Sequence, residues 1–205
     1  IKIVDGKLNS TNFQFEEKEK IQVKKFFNED FNNKREKNPL VHLNHALANN
    51  GYFLEVVDNY KFKKVLVIYN IFTNNLNDNI LNIRNKIKIG KNSELHTFEI
   101  EINKSRKNFF NNTYETIDLE ESAVYKNICI NNEKSAGFFH KFRKNRLLSN
   151  AKLNSFIFPS GPKFNKLDLE FNLEGENSEC YLQGASYIDQ NDHQEIKTKV
   201  NHLAP

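Results

Sequence analysis

Two cysteines, six histidines and one close pair of carboxylates are the residues whose types could do chemistry in this 205-residue chain. Cys180 follows an acidic turn, Leu173-Glu174-Gly175-Glu176-Asn177-Ser178-Glu179. Nearby negative charge raises a thiol's pKa and makes it a poor nucleophile, so a packing role is expected there. Cys129 alternates with Ile128 and Ile130, faces the opposite way from both, and is read as structural. No CxxC is present, which removes the zinc-ribbon and dithiol redox motifs. Two cysteines do not make a disulfide framework, so a reducing compartment is expected.

The histidines give weaker patterns. His42 and His45 have the i, i+3 spacing that can set two ligands on one helix face, but no HExxH or third ligand accompanies them. His193 and His202 could act together only if their strands converge, and His96 and His140 stand alone. Asp168 and Glu170 share one face of an alternating stretch, as a carbohydrate-cleaving pair would, though any solvated strand carries such pairs. There is no GxSxG or Walker A sequence, and "SGPKF" (Ser160 to Phe164) lacks phosphate-loop spacing. "KSRKNFF" and "FFHKFRKNR" mix basic and aromatic residues as an RNA-stacking surface would. The preferred reading of both is a strand with its aromatics inward and its lysines outward. No catalytic, cofactor-binding or metal-binding residue is assigned.

Composition narrows the classes. The formal charge is +4 with acidic residues spread among the lysines, which describes a solvated surface and speaks against nucleic-acid or membrane partners. No apolar run approaches the roughly 20 residues of a membrane helix. The chain opens on Ile1 and contains no methionine, so it is expected to be a fragment.

The elements that must position these residues are mostly strands. "IKIVDGKLN" reads as a short hairpin or a strand–turn at its DG pair. Residues 15–38 are charge-rich, with a weak amphipathic face of Ile21, Val23, Phe26, Phe27 and Phe31, and read as a surface helix or an ordered excursion. Pro39 opens a helix, with Leu40, Leu43 and Leu47 on one face and Gly51 at its end. Extended segments follow at "YFLEVV" and "KKVLVIYNIF". From about residue 80, "NILNIRNKIKIG", "LHTFEIEI", "YETIDL", "VYKNICI", "LNSFIF", "KLDLEFNL" and "CYLQGASYI" alternate with period two and no helix intervenes, which points to an all-β core.

Turns in this region repeat. An apolar residue, a short polar turn and a small residue recur at Ile89/Ser93, Leu119/Ala123, Leu147/Ala151 and Leu173/Ser178, in steps of 30, 28 and 26 residues. That period suits stacked coils of a parallel β-solenoid, with a β-sandwich as the alternative.

The residues now quoted resemble a family. Leu173 to Pro205, with its "LEGENS" turn and the later "EIKTKVNH" (Thr198 and His202 matching, Glu195 where aspartate is usual), resembles the core of the SufB/SufD iron–sulfur cluster assembly proteins. "VDGKL", "NPLVHLNHALANNGYFLEV" and "IRNKIKIGKNSELHTFEIEI" resemble earlier parts of such proteins, in the expected order. SufD is the better match, because SufB-type proteins carry a sulfur-handling cysteine in the "RLLSN" turn and Arg146 to Asn150 has none. The resemblance implies a right-handed parallel β-helix at 67–205, incomplete at its C-terminal end, behind an N-terminal α/β segment at 1–66. It implies a non-catalytic scaffold subunit that works with a SufB-like subunit and a SufC-like ATPase, with a role in iron acquisition, and that forms a homodimer in isolation. The Fe–S cluster would be assembled by the complex, with ligands expected beyond residue 205 and no cofactor bound by this chain. The setting would be bacterial cytoplasm, or a plastid in a eukaryote. The competing readings are a β-solenoid enzyme acting on polysaccharide and an interaction module.

Overall fold

The computed structural model describes residues 1–25, 37–131 and 133–204. It contains fourteen strands and one helix among those residues. The chain winds as a solenoid with two parallel ladders. One ladder stacks β4 (Asn50–Val56), β6 (Asn79–Ile89), β8 (Phe109–Leu119), β10 (Ser135–Leu147), β12 (Pro162–Leu173) and β14 (His193–His202). The other stacks β5 (Leu66–Phe72), β7 (Glu94–Asn103), β9 (Val124–Asn131), β11 (Lys152–Pro159) and β13 (Glu179–Gly184). Five coils and the first strand of a sixth result. Parallel pairing throughout the coils rules against a sandwich of antiparallel sheets.

The turn repeat is the stacking unit. Val56, Ile89, Leu119, Leu147 and Leu173 lie in register on successive coils, all inward-facing and almost fully buried. The residue before each small one takes a positive φ: Asn92 (53°), Ser122 (57°), Asn150 (58°) and Asn177 (55°). Asparagine tolerates that conformation better than most side chains. Ser93, Ala123 and Ala151 are buried behind these turns, and their carbonyls accept from Val124, Lys152 and Glu179 N–H on the next coil at 2.8–2.9 Å. A larger side chain there would meet its neighbour one coil away.

The N-terminal end is capped. β1 (Lys2–Val4) and β2 (Lys7–Ser10) form the hairpin expected at the DG pair, with Asp5 and Gly6 both at positive φ as a type I′ turn requires. Asp5 ties it to the solenoid by accepting from Thr73 N–H at 2.8 Å and Thr73 Oγ1 at 2.6 Å. β1 runs beside β5 and β2 beside β4, so the hairpin closes both ladders. β3 (Ile21–Lys25) pairs antiparallel with β4. This corrects the helix reading for those residues, since Ile21 and Val23 alternate with Gln22 and Lys24 on a strand. Phe26, Phe27 and Phe31 lie outside the described residues.

The helix α1 (Pro39–Leu47) is where the sequence puts it, but it docks differently. Its buried residues are Val41 and Asn44, while Leu47 is 56% exposed. Asn44 anchors it, donating to the carbonyls of Ile83 and Asn112 at 2.9 and 2.8 Å. Nor does Gly51 end the helix. It lies inside β4 at φ 127°, where a Cβ would stand 1.7 Å from the Arg84 carbonyl oxygen. Close backbone approach explains that glycine. Among the described residues no helix is long and apolar enough to cross a membrane.

Candidate functional site: a charged cluster inside the solenoid

Alternation fixes which side chains enter the lumen. From the apolar row, counting by two along β7, β8, β9 and β10 leads inward to Thr97, Glu99 and Glu101, to Glu115, to Asn127 and Cys129, and to Lys141 and Arg143. Three successive coils thus place carboxylates, cations and a thiol where a solenoid ordinarily stacks apolar residues. The column around them is apolar: Glu99 and Cys129 stand between Ile68 and Ile157, and Arg143 and Lys141 are followed by Leu169 and Leu167.

Arg143 organises the cluster. Its Nε pairs with Glu115, its Nη1 donates to Asn127 Oδ1 at 2.9 Å, and its Nη2 lies 3.1 Å from Glu99 Oε2. Lys141 Nζ reaches Glu99 Oε1 at 2.8 Å, and Asn70 donates to the same oxygen at 3.0 Å. The side chains of Arg143, Glu99 and Glu115 are 5% exposed or less, so little solvent screens them. Burial pushes the Glu99 carboxyl up, but the Lys141 and Arg143 charges overcome it and hold it at about 2. Burial works against the Lys141 ammonium, which Glu99 and Glu115 keep above its ordinary value. Two cations are therefore balanced by two carboxylates.

Glu101 is the odd carboxylate. Its Oε2 is buried without a hydrogen-bond partner. Burial, with Glu99 adding to it and Lys141 opposing, raises its pKa to about 7. It lines a cavity of about 40 Å³ together with Cys129, Phe139, Lys141 and Leu169. That is room for a water molecule, although most of the lining surface is apolar.

Cys129 faces this cavity. Its Sγ donates to Glu99 Oε2 at 2.9 Å, and Arg143 Nη2 lies 3.4 Å from the sulfur. Burial and the Glu99 charge push the thiol up to about 12, so it stays protonated as a hydrogen-bond donor. Cys180 also points inward, in register with Leu153 and packed against the apolar core. Its pKa rises to about 11 through burial rather than through the acidic neighbours invoked above. Glu179 is paired with Lys152 and Glu174 with Arg146, which takes their charge away from the thiol. Both cysteines are free.

The other candidates disperse. His42 is exposed and His45 packs edge-on against Tyr114, with ring centroids 5.0 Å apart. His193 and His202 are the first and last residues of the same strand, about 30 Å apart at 3.3 Å per residue. His193 stacks on Phe164 at 5.1 Å. Asp168 and Glu170 do share the outer face of β12, but both are engaged: Asp168 with His140 and Asn38, Glu170 with Lys144 and Lys199. His96 pairs with Glu94 at 2.7 Å. Ser160 and Gly161 form a tight turn in which a Cβ on Gly161 would lie 2.1 Å from the Glu133 carbonyl oxygen. Among the described residues, no group of three or more His, Cys, Asp or Glu is placed to hold a metal ion.

"FFHKFRKNR" meets the expectation made for it at the inward Phe139 and the outward Lys144, and reverses it between them. Lys141 and Arg143 point into the lumen, and Phe142 points outward, where α1 covers it beside Val41 and Tyr114. The counter-charges of Glu99 and Glu115 make inward cations stable, and the helix makes an outward phenylalanine stable. The repeat register carried this signal: stepping by two from the small turn residues would have placed Glu99, Glu115 and Arg143 in the lumen.

Compared with known proteins, residues 71–205 match the family model described as SUF system FeS cluster assembly, SufBD core domain. No curated protein and no solved structure gives a match.

Proposed function

The chain belongs to the SufBD core family of SUF iron–sulfur cluster assembly proteins, and from that premise we propose that it is a SufD-like, non-catalytic scaffold subunit. The carrying observation is the family core itself, matched over residues 71–205, which includes four of the five coils in full. Iron and sulfide are cargo in this reading. The partners are a SufB-like subunit and a SufC-like ATPase, with the ATP chemistry in the latter and a contribution to iron acquisition in the complex. The SufD assignment is supported by the turn at Arg146 to Asn150, which has no cysteine. It is also supported by the two thiols present, which burial holds protonated and inward. Neither is poised to accept sulfur by nucleophilic attack.

Co-expression of the full-length protein with candidate SufB and SufC tests this. A complex that survives copurification is expected, and association with neither partner would overturn the reading. Cys180→Ala should leave the complex intact. A large loss of cluster assembly by that variant without unfolding would show that the thiol has a role of its own.

A further inference from the structure

A second polar network lies outside the lumen, under α1. His140 on the outer face of β10 is 1% exposed. Its Nδ1 is 2.9 Å from Asn112 Oδ1, and its Nε2 is 3.1 Å from Asp168 Oδ2. The Asn112 amide cannot be turned round, because its Nδ2 meets the Leu40 carbonyl at 2.8 Å, and a backbone carbonyl only accepts. Asn38 is fixed in the same way. Its Oδ1 accepts from Leu40 N–H at 3.0 Å, so its Nδ2 is the group that donates to Asp168 Oδ2 at 3.1 Å. Both His140 nitrogens therefore face oxygens, and the orientation of the amides around them is set by Leu40, the second residue of α1.

A neutral imidazole has one N–H and one lone pair. Beside an ionised Asp168, either tautomer of neutral His140 would set a nitrogen lone pair against an oxygen lone pair. One further proton removes the conflict. It can make an imidazolium that donates to both oxygens, or a protonated Asp168 that donates to Nε2 while Nδ1–H donates to Asn112. We propose that the His140–Asp168 pair holds one shared proton at neutral pH, and that this proton latches α1 onto the solenoid.

Burial holds the imidazole's own pKa below its ordinary value, and the hydrogen bond and charge of Asp168 offset this only in part. For the pair the balance runs the other way: with the shared proton its net charge is zero, and without it a net negative charge is buried. The surrounding charges are mixed. Lys166 on β12, 4.0 Å from Asp168 Oδ1, disfavours the proton, and Glu195 on β14 favours it while pairing with Lys166. Lys37 ahead of α1, Glu170 on β12, and Lys197 and Lys199 on β14 line the adjoining groove. On the same face, Arg84 of β6 donates to Asn44 at 3.0 Å, and Tyr114 of β8 stacks on Phe142. A proton held more tightly when α1 is docked stabilises the docked state below the pair's pKa. That stabilisation is lost as pH rises through it.

Long-range 15N NMR of the histidines in the full chain, from pH 5.5 to 9, reads the proton directly. Nδ1 of His140 is expected to carry a proton at pH 7. Hydrogen exchange of the α1 amides, corrected for its intrinsic pH dependence, should accelerate about tenfold as that proton is lost. In Asp168→Asn, whose side-chain amide can donate to Nε2 without any shared proton, the acceleration of α1 exchange with rising pH should disappear. A bare Nδ1 at pH 7 in the unsubstituted protein would overturn the shared proton. Exchange in α1 that ignores the titration would overturn the latch. The titration of the unsubstituted protein decides the matter whether or not Asp168→Asn folds.

Discussion

Two rows of the same lumen, a few residues apart, are held together in opposite ways. The row beside the turns, from Val56 through Ile89, Leu119 and Leu147 to Leu173, is apolar, and each member contributes by its own contacts. The row formed by Glu99, Glu115, Lys141 and Arg143 is buried except for Lys141, whose side chain is 15% exposed, and works only as a unit. Burying an apolar side chain is favourable one residue at a time. Burying a charge is favourable only when every partner is present. The first row sets the coil spacing, and the second makes the middle of the solenoid intolerant of single changes.

Breaking the charged row should have the largest effect. Arg143→Met leaves Glu115 and Glu99 short of a cation and should cost about 3–5 kcal/mol in urea unfolding. Adding Glu115→Gln should recover part of that, since it removes one stranded charge. A loss below about 1 kcal/mol for Arg143→Met alone would erase the contrast between the rows. Leu147→Ala should come next, at about 2–4 kcal/mol from lost burial and the cavity left behind.

A pH experiment sharpens the contrast, because Glu99 and its neighbour Glu101 titrate and the apolar row does not. Glu101 has a raised pKa in the folded protein, so its contribution is full below the ordinary carboxylate pKa and is lost as pH rises through about 7. Glu101→Gln should therefore be more stable than the parent by about 1–2 kcal/mol at pH 8, with the difference gone near pH 4. Glu99 has the opposite sign: its contribution is present above the ordinary carboxylate pKa and is lost as pH falls towards 2. The smallest effect belongs to the turns. Ser122 takes the positive φ that Asn occupies in the neighbouring coils, so Ser122→Asn should raise stability by about 0.5 kcal/mol.

Legibility in the sequence followed the same division. The turn residues Ile89, Leu119, Leu147 and Leu173 were readable as a stacked set, because one physical requirement recurs once per coil. The N-terminal hairpin and the start of α1 were readable for local reasons: a DG pair, and Pro39. β10 was read as a strand, but with its lysines outward. Its inward positions include Lys141 and Arg143, so hydrophobicity alternates the wrong way there. The docking face of α1 was misread for the same reason, since Asn44 takes the place of an apolar anchor. The lumen cluster was missed because its members are far apart in sequence: Arg143 and Glu99 are separated by 44 residues and meet across coils.

By itself the sequence determined the period, the turn chemistry and the β character of the chain, and through its motifs the likeness to the SufB/SufD family. These depend on local conformation and on a repeat that each coil states for itself. Tertiary structure decided which alternating residues face the lumen, which cations find carboxylates, and what covers Phe142 and His140. A buried charge or an outward phenylalanine has no stable environment until other coils and α1 supply its partners, so no local pattern could announce them.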